Sequence, residues 1–238
     1  MSRRLARTLA LPAFAGAVLA AGASPAQATS ECRALPVCVP VSGPWVVVPA
    51  GRGAPRPRVE YQLSCPRGYV VGGLDAELSD PAIDIAFLAT LGSPVNPGIS
   101  TSRAAVFVAS STATPARLSS FRPHVGCIPG AGGGQRTPTA ASVSAPGHPA
   151  VRRVWELAVR PGRPLRATRT CAASERLVSA SHAVGFYTAR PPAAPLASSV
   201  AVRQVIRGEG VAVTVRAGAV AAGVRAVVQL DAVCAGGR

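Results

Sequence analysis

The sequence predicts an all-β fold, arranged as two tandem disulfide-tied β-sandwich lobes. Three observations carry that prediction. Cys65 and Cys127 are 62 positions apart and Cys171 and Cys234 are 63 apart, with an offset of 106 to 107 between the pairs. Polar and apolar residues alternate in the stretches that reach these cysteines, the period-2 pattern of a strand with one buried face. The chain's 24 glycines and 23 prolines break the sequence at short intervals, and no convincing helical periodicity survives between them.

Residues 1–28 read as a signal peptide. Arg3, Arg4 and Arg7 give a basic start, an apolar run covers Leu9 to Ala21, and Ala26-Gln27-Ala28 forms an A-x-A cleavage site. The Arg3-Arg4 pair also leaves twin-arginine export open. No later stretch approaches the 18 or so apolar residues of a membrane span, so the expected location is outside the cell. Residues 29–43 read as an N-terminal arm in which Cys32 and Cys38 enclose five residues.

The first lobe is expected over 44–128. Trp45 opens it in WVVVPAGRGAPRPRVEYQLSC, and Val59, Tyr61, Leu63 and Cys65 alternate there with Glu60, Gln62 and Ser64. Residues 129–150, rich in Gly, Ser and Pro, read as a linker. The second lobe is expected over 151–238. Its opening, VWELAVRPGRPLRATRTC, repeats the layout of the first from Trp155 onward, although Arg169 falls on the nominal inward face. Near its end Val224, Ala226, Val228, Leu230, Ala232 and Cys234 share one face. This is an internal repeat kept in layout rather than in residues.

All six cysteines follow the cleavage site, and an even number in an oxidising compartment reads as three disulfides. The repeat pairs Cys65 with Cys127 and Cys171 with Cys234, which leaves Cys32 and Cys38 for each other. Closing a loop of such length stabilises a lobe by about 4 kcal/mol in the chain-entropy model. That contribution matters where aromatic residues are only 4% of the chain.

The formal net charge is +15, and without the three leader arginines it is +12, all of it from arginine. Such a balance points to an anionic partner, a cell-wall polymer or a nucleic acid. Nucleic acid is not expected, because the arginines are scattered and stacking aromatics are sparse. A soluble surface built from the one cation the chain uses is the plainer explanation.

Catalytic chemistry is not expected. His124, His148 and His182 occupy non-corresponding positions, Asp231 standing in the second repeat where His124 stands in the first. No G-x-S-x-G elbow, C-x-x-C or H-E-x-x-H occurs, so neither a nucleophile nor a metal or cofactor site is assigned. The acidic stretch DAELSDPAID, with Asp75, Glu77, Asp80 and Asp84, lacks the EF-hand pattern and reads as a solvated loop between strands. Tyr69, Phe186 and Tyr187 are possible platforms for carbohydrate, and Trp45 and Trp155 read as core.

The Cys32–Cys38 ring is the feature the repeated fold does not require. One explanation is a staple that holds the arm against the first lobe, or pairing of these cysteines with the others. The other is preorganisation. A small ring containing Pro36, extended and exposed, loses little entropy on entering a partner's cleft. Serine-protease inhibitors use that device, and Arg33 or Leu35 would then fill the primary specificity pocket.

With its leader, its cysteine-bounded N-terminal segment and its two disulfide-tied lobes, the chain resembles the adaptor component of the secreted umbrella toxin particles of streptomycetes. The C-P-x-G opening of the first lobe, Cys65-Pro66-Arg67-Gly68, fits secreted actinobacterial β-domains, and the second lobe departs from it with CAASERL. The resemblance implies a non-enzymatic linker between a large repeat-containing toxin and a lectin-type subunit with a trypsin-like fold. It further implies that Cys32, Arg33, Ala34, Leu35, Pro36, Val37 and Cys38 form the segment that enters that subunit's cleft. The rival expectations are a secreted protease inhibitor acting through the same ring and a cationic cell-wall surface protein.

Overall fold

A computed structural model describes residues 29–51, 55–88, 103–114, 117–130 and 150–236. Residues 1–28, expected as a leader, most of 129–150, expected as a linker, and His148 lie outside the described residues. In the first half the strands are β1 (Val39–Ser42), β2 (Trp45–Val48), β3 (Val59–Ser64), β4 (Tyr69–Leu78), β5 (Ile83–Leu88), β6 (Ala104–Ser111) and β7 (Ser119–Pro129). In the second they are β8 (Val151–Val159), β9 (Leu165–Thr170), β10 (Glu175–Tyr187), β11 (Val200–Arg207), β12 (Gly210–Ala217) and β13 (Arg225–Gly236). A four-residue helix, α1 (Ala194–Ala197), is the single α-helix among the described residues. The fold is all-β, as expected, and no described helix is long and apolar enough to cross a membrane.

Each half packs a small sheet on part of a larger one. Lobe 1 sets β3-β6-β5 against β4, β7 and the β1/β2 edge. Lobe 2 sets β9-β12-β11 against β10, β13 and β8. Strand for strand, these are the same topology. Even an irregularity recurs, since the β4–β7 ladder slips between Val71 and Gly73 and the β10–β13 ladder between Leu177 and Ser179, 106 positions on. Bulges at matching places are a strong mark of duplication, because each re-aims the strand that carries it. The two tryptophans, however, are not equivalent. Trp155 faces Leu230, whose counterpart is Pro123, and there the first lobe places Gly43.

The lobes tie themselves as the cysteine spacing implies, with bridges Cys65–Cys127 and Cys171–Cys234. In lobe 1, Val59 and Tyr61 of β3 meet Phe107 of β6 and Phe121 and Val125 of β7. Phe107 and Phe121 stack with centroids 6.3 Å apart, and Phe87 meets Phe107 edge-on at 5.3 Å. In lobe 2, Val211, Val213 and Val215 face Val228, Leu230 and Ala232. Arg169, out of place in the sequence pattern, lies over the Trp155 ring at 5.8 Å, where a cation meets the negative face of an indole.

Two features lie beyond the sequence pattern. Within residues 29–43, β1 is a sheet strand paired with β7 from Val39↔Cys127 to Ser42↔His124. One seven-stranded sheet also runs through both lobes, since β2 pairs with β7 on one side and with β10 on the other, through Val46↔Gly185 and Trp45↔Phe186.

That junction changes the chemistry of the second lobe's outer sheet face. Gln229 and Asp231, polar positions on a nominally wet face, are each 2% exposed. Lobe 1 covers them. Gln229 accepts from the Gln62 N–H at 2.6 Å and donates to the Gln62 carbonyl at 2.9 Å, acting as a strand partner for β3. The Arg152 guanidinium lies between Asp231 and Glu60, 2.6 Å from the latter. Burial pushes the Asp231 carboxyl up, and Arg152 offsets part of that shift. Tyr61 donates to Glu156 at 3.0 Å, and burial together with that carboxylate holds its hydroxyl far above the ordinary phenol range.

Candidate functional site

Cys32 and Cys38 are bonded to each other, so the ring exists as a closed unit. Its first half is not extended. Residues 31–34 form turns in which the Arg33 N–H donates to the Ser30 carbonyl at 2.9 Å and the Leu35 N–H to the Cys32 carbonyl at 3.2 Å. Ala34 sits in the left-handed region at φ 61°, the single described non-glycine residue there. Pro36 and the disulfide then direct the chain into β1.

The ring stands on a seat built by the outer face of the first lobe's sheet. Gly73 of β4 and Gly126 of β7 face each other in register. A methyl group on Gly73 would lie 1.9 Å from the Glu31 carbonyl oxygen, and one on Gly126 would lie 2.1 Å from it and 2.9 Å from Cys38 Sγ. The backbone of the arm thus lies in a slot that only paired glycines leave open. Two hydrogen bonds fasten it there, because Asp75 Oδ2 accepts from the Ser30 N–H at 2.6 Å and from its hydroxyl at 3.0 Å. Burial raises the Asp75 carboxyl. The amides of Ser30 and Ala76 and the Ser30 hydroxyl outweigh that effect and leave it below the ordinary aspartate value.

Glu31 itself is buried beside His124, with Oε1 3.9 Å from Nδ1. His124 Nδ1 lies 3.1 Å from the Ser42 hydroxyl, and Nε2 lies 2.9 Å from Glu77 Oε1, off the line of a good hydrogen bond. His124 and His182 are both strand residues. His182 meets Gln204 at 2.9 Å, and Gln204 donates onward to the Ala180 carbonyl, so this pair ties β11 to β10. His124 was expected as a non-catalytic residue on a loop or strand face, and Glu31, Gly73 and Gly126 were not among the expected site residues. The available signal was glycine in the middle of two strands, Gly72-Gly73 in β4 and Gly126 in β7.

The acidic stretch is not a loop throughout. Asp75 and Glu77 lie on β4, Asp80 in the turn that follows, and Asp84 on β5. Asp80 is buried and paired with Arg117. Of the aromatic candidates, Phe186 is fully buried, Tyr69 packs on the first core, and Tyr187 is covered by the Arg225 guanidinium at 4.1 Å. Among the described residues, the tightest grouping of potential metal ligands is Cys171, Cys234 and Glu175. Its two sulfurs are spent on each other and its carboxylate holds Arg153 at 2.7 Å and 2.8 Å, so it offers no thiolate.

The ring therefore presents a small, restrained projection. Arg33, Ala34, Pro36 and Val37 are exposed, Val37 by 57%, while Leu35 and the two cysteines are half-buried. No known protein family, curated protein or solved structure matches the chain.

Proposed function

We propose that the chain is a secreted, non-enzymatic adaptor that connects two other secreted proteins, with the Cys32–Cys38 ring entering a cleft of one of them. The observation that supports this reading is the division of the ring into a fixed base and a bare rim. Ser30, Glu31 and Cys38 are held against lobe 1, whereas Arg33, Ala34, Pro36 and Val37 meet solvent. A projection already ordered before contact loses little conformational freedom on binding. Its short apolar and cationic rim suits a cleft of matching size and negative lining. The resemblance to umbrella-particle adaptors names a candidate for that cleft, a lectin-type subunit with a trypsin-like fold. A repeat-containing toxin would then take another face of the lobes.

The protease-inhibitor reading gains no comparable support. Inhibition of that kind requires an extended backbone across the enzyme's cleft, and the segment carrying Arg33 is a turn.

Affinity purification of the tagged protein from culture supernatant tests the adaptor reading. It should recover two further proteins in fixed ratio, and Arg33→Ala with Val37→Ala should release one while retaining the other. Recovery of the protein only as a free monomer would sink the proposal.

A further inference from the structure

Arginines that lie far apart in sequence meet on one sheet face of lobe 2. On the outward side of β9-β12-β11, Arg203 faces Thr214, and Thr214 faces Arg166 on the opposite strand. Arg216 stands one step along β12 from Thr214 on the same side. Sheet geometry puts the Arg203 and Arg166 backbones about 10 Å apart and Arg216 about 7 Å from Thr214. Three guanidiniums thus surround one hydroxyl, with Arg207 farther along β11 and Thr168 along β9. The four arginines are exposed, and among the described residues none has a hydrogen-bond, ion-pair or ring partner. Two shallow hollows on this face share Arg166, Arg203 and Thr214 in their lining.

Three arginines outside this face are neutralised by carboxylates. Arg117 meets Asp80, Arg152 meets Glu60 and Asp231, and Arg153 meets Glu175. The charge is also unevenly divided. Residues 150–236 hold twelve arginines against four carboxylates, and residues 29–130 hold eight against six. The strands β9, β11 and β12 contain no acidic and no aromatic residue.

We infer that this face binds an extended polymer of phosphodiester-linked polyols, a polyanion without bases. The planar guanidinium fork matches the paired oxygens of a phosphodiester, and the Thr214 hydroxyl donates at the centre of the cluster. Single-stranded nucleic acid is the poorer fit, because its sequence-tolerant grip depends on aromatic stacking platforms that these strands lack. A protein partner is also the poorer fit, since protein interfaces centre on aromatic and apolar anchors. The inference does not depend on the adaptor reading, because the face lies in lobe 2 and the ring on lobe 1.

The purified protein, titrated with poly(glycerol phosphate) at several salt concentrations, tests it. Two triple variants remove equal charge. One is Arg166→Thr, Arg203→Thr and Arg216→Thr, which keeps a β-branched residue in each strand. The other is Arg56→Thr, Arg58→Thr and Arg67→Thr, at exposed positions of lobe 1. The wild-type protein should bind with a marked salt dependence. The face triple should bind about 100-fold more weakly, at about fivefold per arginine, with the log–log salt slope reduced by about 2. The lobe 1 triple should bind as the wild type does. Equal losses in both triples, no wild-type binding at low salt, or equally tight binding of polyglutamate or single-stranded DNA would each overturn the inference. Melting temperatures are compared first. If the face triple does not fold, Arg203→Thr alone carries the test with about a fivefold loss.

Discussion

Replacing Gly126 with alanine puts a methyl group where the arm already lies. The added carbon would stand 2.1 Å from the Glu31 carbonyl oxygen, 2.8 Å from its carbon and 2.9 Å from Cys38 Sγ. None of these is the free end of a flexible side chain, so the arm must rise by roughly 1 Å or more to reach ordinary contact distance. The Ser30 bonds to Asp75, at 2.6 Å and 3.0 Å, do not survive such a shift. Each is charge-assisted, with a net contribution of about 1.5 to 3 kcal/mol, so losing one alone weakens docking at least about tenfold. The lobe itself should hold, because alanine in a strand is favoured over glycine by about 0.5 to 1 kcal/mol. Amide hydrogen exchange separates the two effects. In Gly126→Ala the Ser30 and Arg33 amides should exchange at least about tenfold faster, while β4 and β7 amides away from the slot keep their protection. Unchanged arm protection in a folded variant would refute the seat, and so would loss of protection through β7 with the arm still docked.

Removing Cys65–Cys127 by paired alanine substitutions should lower stability by about 4 kcal/mol in denaturant unfolding. Removing Cys32–Cys38 should leave the midpoint of lobe unfolding nearly unchanged. Arg152→Ala leaves Asp231 buried without its counter-charge and should cost about 3 to 5 kcal/mol at neutral pH. Because the Asp231 carboxyl is raised in the folded protein, that cost should shrink as acid protonates it, which unfolding curves at pH 7 and pH 4 would reveal. Asp75 has the opposite sign. Its folded value is depressed, so its contribution to arm docking is complete above the ordinary value of 3.8 and is lost as the pH falls below it. Exchange of the Ser30 amide should therefore report a docked arm at pH 5 and a released one at pH 2.5.

Local signals in the sequence were reliable where one strand and its own core decide the outcome. Val59, Tyr61 and Leu63 alternate because one face is buried, and the cysteine spacing follows because each bridge closes a lobe on itself. Signals failed where another part of the chain covers a surface. Gln229 and Asp231 have the polarity of wet positions, and nothing near them in sequence announces that β3 will lie across them. The seat of the ring likewise needs Asp75, Gly73 and Gly126 brought to Glu31 from 40 or more residues away. The turn at Ala34 departs from the extended form that Pro36 encourages because Ser30 and Cys32 supply carbonyls to the amides that follow. The arginine face was hidden for the simplest reason, that strand neighbours need not be sequence neighbours.

The junction between the lobes joins unlike edges, β2 of one and β10 of the other. An isologous contact closes on itself in a pair, but a head-to-tail contact has no intrinsic end and, repeated, runs on as an open filament. Each lobe here carries both halves of that joint, and the unused halves are the β4 edge of lobe 1 and the β8 edge of lobe 2. Across part of the lobe 1 sheet face where a preceding unit would rest lies the N-terminal arm, its Glu31 beside His124 just as Glu60 of lobe 1 reaches Arg152 beside Asp231 of lobe 2. The arm is in that sense a cover, lying over the lobe 1 counterpart of the face that β3 covers on lobe 2.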